Sequence, residues 1–170
     1  MAVQQCLVII KPDGLVKSLT GNIITALSET KLKIVGAKVI KVPRELAEQH
    51  YEGLKENKGE EIFQGTIDYL MGKYHTDRVL ALVYHGENAI EKVRVLAGET
   101  NPESAHPVSI RGKYGRINSM TKVFENVVHA SDSEETAEKE IKLWFHPYEL
   151  AEKIYPTETK KQEEEILVWK

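Results

Sequence analysis

The stretch VFENVVHASDSEETAEKEIKLWF, residues 123–145, reads as a short apolar strand running directly into a helix. Ser131, with Glu134 three residues on, gives the S-x-x-E signature of a capped helix start, and Ala137, Ile141 and Trp144 form the apolar stripe that follows. His129 ends the strand immediately before that start. A helix N-terminus offers free N–H groups and partial positive charge, so an anion beside His129 would be stabilised there. Neutral imidazole is a competent nucleophile if its other nitrogen is held by an acceptor. Glu140 is the candidate holder, because it lies near the stripe, between Ala137 and Trp144, where a carboxylate without a partner is costly to bury. Periodicity leaves equally open that Glu140 turns outward as an ordinary helix glutamate.

Upstream, the run CLVII (Cys6–Ile10) is continuous, apolar and rich in branched residues, and KPDG ends it, which predicts a buried strand and a turn with Lys11 at the strand's exit. GNIITALSET places Ile23, Ile24 and Leu27 at helical spacing, and KIVGAKVIKV alternates as a second strand. Pro43 opens a helix through RELAEQHYEGLKEN, and another is expected from about Glu60 to Met71. VLALVY (Val79–Tyr84) is a third buried strand, and NAIEKVRVLAG a helix ended by Gly98. From about Gly98 to Lys122 runs a polar loop, longer than the roughly 12 to 15 residues beyond which loops in compact domains are usually functional. The order is βαββαβ with additions, which predicts an α+β fold: an antiparallel sheet, helices on one face and an extended loop.

Composition narrows the function. The 170 residues carry 23 Lys+Arg against 26 Asp+Glu, a formal charge of -3, so no general field draws in nucleic acid or an acidic membrane, and phosphate binding must be local. The single cysteine, Cys6, closes no intrachain disulfide, and the apolar run at the N-terminus is too short for a signal core or a membrane span, so a cytoplasmic protein is expected. The six histidines show no HExxH spacing, and metal held by protein ligands alone is not expected. Neither GxxxxGK[ST] nor GxGxxG is present, which disfavours Walker-type and protein-kinase chemistry. The cations near turns are Lys11, Arg94 and Arg111; each alone reads as a solvated charge, and only convergence on one cleft would make them functional.

With KPDG (residues 11–14), GETNP (Gly98–Pro102), IRG (Ile110–Gly112) and NVVHASDS (Asn126–Ser133), the chain resembles nucleoside diphosphate kinases over roughly residues 5 to 147. The resemblance implies a ferredoxin-like sheet with a loop over the nucleotide. It also implies phosphoryl transfer from a nucleoside triphosphate such as ATP to a nucleoside diphosphate, in two steps through phosphate on His129. By the same likeness, Lys11 and Arg94 neutralise phosphate charge, Thr100 and Arg111 hold the outer phosphates, Tyr51 and Asn126 line the reacting site, and Lys11 and Asn126 also reach the sugar. Ser131 and Glu140 steady the histidine. Val123 takes the apolar place on one side of the base, and Ile62 or Phe63 the other. Magnesium would arrive on the nucleotide phosphates, and the protein would be a homo-oligomer, a hexamer or else a tetramer or dimer. The resemblance makes residues 1–147 the kinase domain and 148–170 a C-terminal extension, whose apolar end Ile166, Leu167, Val168 and Trp169 is expected to dock on this or a neighbouring subunit. Three stretches depart from the family: a few extra residues between Tyr51 and Ile62, GKYHTDR (72–78) where the family has SGP, and a longer GKYGRINSMTKVFE (112–125) between Arg111 and Asn126.

Overall fold

The computed structural model describes residues 2–161 and residue 169. Four strands, β1 (Val3–Ile10), β2 (Lys33–Ile40), β3 (Val79–Glu87) and β6 (Val128–Ala130), form one sheet in the order β2-β3-β1-β6, with every neighbouring pair antiparallel. A hairpin of two short strands, β4 (Arg116–Ile117) and β5 (Phe124–Glu125), stands apart.

The continuous apolar run of β1 is explained by burial on both faces. Cys6, Val8 and Ile10 face a core made with α2 (Thr20–Ser28) and α6 (Ala89–Ala97), the two crossover helices of the βαββαβ pattern. Leu7 and Ile9 face a second core built with α3 (Arg44–His50), α5 (Glu60–Leu70) and α8 (Glu134–Trp144). The expected single layer of helices is therefore the α2–α6 layer, and the added helices supply the other, because a strand apolar on alternate and intervening positions needs cover on each side. Register fixes the side on which the chemistry lies. His129 pairs with Ile9, so its side chain shares the face of α3 and α8.

Local chemistry accounts for several differences from the sequence reading. KPDG does not simply turn: Pro12 opens a short helix, α1 (Pro12–Val16), suited by its fixed φ to the first helical position. The helix expected through RELAEQHYEGLKEN breaks after His50, where Gly53 takes φ +83°, and resumes as α4 (Leu54–Lys58). Within the long loop lies one more short helix, α7 (Ile110–Tyr114), capped by Ser109, whose hydroxyl accepts from the Gly112 N–H. The cap of α8 is Ser133, not Ser131: Ser133 Oγ accepts from the Thr136 N–H at 3.1 Å. Ser131 is drawn away into the core by partners distant in sequence.

The segment after α8 is knitted to β2 and β3. Leu150 is buried, Ala151 N–H donates to Val35 O, and Glu152 pairs with Lys33 at 2.8 Å and His85 at 3.1 Å. The docking expected of Ile166, Leu167 and Val168 lies outside the described residues, and Trp169 is exposed. No described helix is long and apolar enough to cross a membrane.

Candidate active site

β6 ends at Ala130 with His129 held between the sheet and α8, its side chain 18% exposed. His129 Nε2 approaches Glu140 Oε1 to 2.9 Å, off the line of a straight hydrogen bond. Among the described residues Nδ1 has no hydrogen-bond partner, and it is not sealed in, which leaves it the nitrogen open to an incoming group. The helical phase turns Glu140 inward, so the outward alternative does not hold: it is 5% exposed, and its Oε2 accepts from Ser131 Oγ at 2.6 Å. Ser131 Oγ in turn accepts from the Leu7 N–H at 3.1 Å, tying the carboxylate to the central strand. Burial pushes the Glu140 carboxyl up, with His50 and the Ser131 hydroxyl acting the other way.

Burial, reinforced by the charges of Lys11, Arg111 and Arg94, drives the His129 imidazole well below its usual range, so it is neutral at ordinary pH. The three cations that were ambiguous in sequence therefore share one neighbourhood. Lys11, at the exit of β1, is 7% exposed and donates to Asn126 Oδ1 at 2.9 Å; burial and the charge of Arg111 lower it to about 7. Arg111, on the first turn of α7, is 5% exposed; it donates to Gly98 O at 2.7 Å and to Val128 O at 3.0 Å. Burial and the nearby Arg94 bring it down to about 10. Like charges gathered at a half-open site, with no carboxylate bonded to Lys11 or Arg111 among the described residues, favour a multivalent anion there.

Asn126 joins the parts, since its Nδ2 donates to Thr100 O at 2.8 Å while its Oδ1 receives Lys11. Tyr51 is half-buried just after α3, and burial pushes its hydroxyl up. The side on which the family resemblance places the base is aliphatic. Ile62 is exposed on α5, whereas Phe63 packs into the second core. A β-carbon at Gly65 would stand 3.7 Å from Val123 Cγ2, and Ile62, one helical turn before Gly65, shares that face.

Residues not singled out in sequence complete the frame. Asp13, fully buried, accepts from the Tyr69 hydroxyl and from the Val127 N–H at 3.2 Å. Val127, φ +59°, is a β-branched residue in left-handed geometry, costly on its own, and it is pinned there by Asp13 and by the Lys11 N–H, which donates to Val127 O. Gly14 lies close beneath it: a β-carbon there would stand only 3.1 Å from Val127 O and 3.0 Å from Ile10 Cγ2. The KPDG string was the available signal, but its aspartate was read only as a turn former. His50 is the other omission: its ring meets His129 edge to face with centroids 4.5 Å apart, it accepts from Trp144 Nε1 at 3.2 Å, and burial lowers it to about 3. Nothing in the spacing of the histidines pointed to it.

His50, His129 and Glu140 form the grouping dense enough for a metal among the described residues. Two imidazoles and one carboxylate oxygen do not make the all-oxygen set that Mg2+ prefers.

The family model for nucleoside diphosphate kinase matches residues 4–150. A nucleoside diphosphate kinase of Pyrococcus furiosus is 47% identical over 150 residues, 88% of each chain. Human nucleoside diphosphate kinase A is 38% identical over 149 residues, 88% of this chain and 90% of that one. A transition-state mimic of the Borrelia burgdorferi nucleoside-diphosphate kinase with bound vanadate and ADP superposes with a TM-score of 0.79 at 31% identity, covering 90% and 93% of the two chains. The Aquifex aeolicus enzyme gives a TM-score of 0.76 at 32% identity, covering 88% and 99%.

Proposed function

The chain belongs to the nucleoside diphosphate kinase family, and from that premise we propose that His129 carries the γ-phosphate of a nucleoside triphosphate to a nucleoside diphosphate. The observation that carries the assignment is a neutral, half-open imidazole, backed by Glu140 and surrounded by Lys11, Arg94 and Arg111.

His129 Nδ1 attacks the γ-phosphorus in line, a P–N bond forms, and the bond to the bridging oxygen breaks with its electron pair leaving on the diphosphate. A β-phosphate oxygen of the second nucleotide then attacks, and the P–N electron pair returns to Nδ1. The Glu140 carboxylate, 2.9 Å from Nε2, lies close enough to offset positive charge that grows on the ring. Phosphoryl transfer asks of the protein chiefly positioning and charge, which the three cations supply. Lys11 and Arg94 take phosphate charge, Arg111 and Thr100 the outer phosphates, Tyr51 lines the reacting site, and Lys11 with Asn126 reaches the ribose. Mg2+ arriving with the nucleotide would supply further charge neutralisation.

Ile62 and Val123 face the base, and apolar contact there is tolerant of base identity. ATP and other nucleoside di- and triphosphates are the partners of this reading. So is a homo-oligomer, supported by exposed Ile34 and Val39 on β2, an edge strand of the sheet. The kinase domain of this reading is residues 1–147, with 148–170 its extension.

Replacing His129 by alanine tests the assignment. Transfer from ATP to GDP should fall on the order of 10⁴-fold or more, the scale of a lost covalent nucleophile. ADP binding by calorimetry should be largely retained, because the cations remain. Near-normal turnover in His129→Ala would refute it.

A further inference from the structure

Two stretches that depart from the family, GKYHTDR (72–78) and GKYGRINSMTKVFE (112–125), meet in the fold. In the β4–β5 hairpin Arg116 stands opposite Glu125 and Ile117 opposite Phe124. The Glu125 side chain turns inward, 2% exposed, and accepts from Arg116 Nε at 2.6 Å and Asn118 Nδ2 at 2.7 Å, both on the hairpin. It also reaches outside the hairpin: His75 Nε2 lies 3.1 Å from its Oε1, and Lys17 Nζ 3.7 Å from its Oε2. Burial pushes this carboxyl up, yet the bonds from Arg116 and Asn118 and the charges of His75 and Arg116 outweigh it and hold it at about 2.

The position of this carboxylate matters. Val123, two residues earlier, faces the Ile62–Gly65 side of α5, and Asn126, one residue later, holds Lys11 and Thr100. The hairpin is thus one wall of the cleft, and His75 joins it to the α5–β3 connection.

We propose that His75 and Glu125 form a clasp that positions the β4–β5 hairpin, setting the gap between Val123 and Ile62 that receives the nucleotide base. The proposal rests on the phosphotransfer reading above. With His75 removed, the hairpin keeps its internal bonds to Arg116 and Asn118, but its tie to the connection after α5 is lost. The wall then moves relative to Ile62, while Lys11, Arg94 and Arg111, carried on other elements, keep their places. Base contacts weaken and phosphate contacts do not.

Calorimetric titration of the whole protein with ADP and with inorganic tripolyphosphate separates these two sets of contacts. His75→Ala should weaken ADP by about tenfold, the scale of one charge-assisted hydrogen bond, and leave tripolyphosphate unchanged. His75→Gln, which keeps a side-chain donor, should recover most of the ADP affinity. The clasp is overturned if His75→Ala binds ADP as the unaltered protein does, or if it loses ADP and tripolyphosphate alike. Failure of the unaltered protein to transfer phosphate would count against the kinase reading alone, since the ratio of the two affinities still decides the clasp.

Discussion

In the proposed reading Ile62 takes the place of a ring that would stack on the base, and the core explains why its neighbour does not replace it. Phe63 packs against the second core, and turning it outward would leave a cavity behind. The sequence left this choice open because two adjacent apolar residues at a helix start differ only in phase, and phase depends on where the helix begins. A ring placed on the exposed face should therefore help: Ile62→Phe is expected to tighten ADP by about fivefold, the low end of what base stacking contributes. Unchanged or weaker binding, read by calorimetry, would show that the base does not lie against this face. Periodicity alone left Glu140 an even choice, which the motif resemblance tipped inward, and its inward turn follows from a partner, Ser131, that receives the Leu7 N–H from the central strand. Lys11, Arg94 and Arg111 were visible as cations near turns, but their convergence is a property of the sheet order and not of any local pattern.

The start of α8 separates local from long-range information. SDSEE offers two serines, and the capping signature selects Ser131, whereas Ser133 makes the cap and Ser131 braces Glu140. Substitution of each should separate the roles. Ser133→Ala is expected to lower stability by about 1 kcal/mol, as for a lost N-cap, with turnover unchanged. Ser131→Ala strips the Leu7 N–H and the Glu140 carboxylate of a buried partner, and should cost about 1 to 3 kcal/mol and slow transfer as well. Denaturant melts and steady-state rates on both variants check this; equal effects on turnover would contradict it. Other elements were read correctly where periodicity was long, as in α5, α6 and β3, and were missed where it was short. The five-residue helices α1 and α7, the two-residue strand β4, the break at Gly53 before α4 and the gap between β5 and β6 involve too few positions to show a period, and are fixed by Gly53, by Ser109 and by the Glu125 carboxylate.

Two cores on one sheet place a pair of imidazoles, His50 and His129, where protonation is opposed by burial and by neighbouring cations, and this has a consequence for the stability of the molecule. Both are depressed in the folded state, so below about 6.5 the unfolded chain binds protons that the folded one refuses, and stability falls as pH falls. Each histidine contributes about 1.4 kcal/mol per pH unit, for His50 down to about 3. Glu140, raised by burial, takes its proton earlier in the folded state and offsets part of the loss. Denaturant midpoints between pH 7.5 and 5 should therefore drop steeply, and less steeply in His50→Gln; a flat profile would contradict the buried neutral pair. The same arrangement that penalises protonation keeps the His129 lone pair available, which is what a phosphate carrier needs. The direct test is to incubate the protein with γ-labelled ATP and Mg2+, isolate it, and chase with unlabelled GDP. The account predicts acid-labile label on His129 that passes to GDP; label that never reaches the protein while GTP still forms would contradict it.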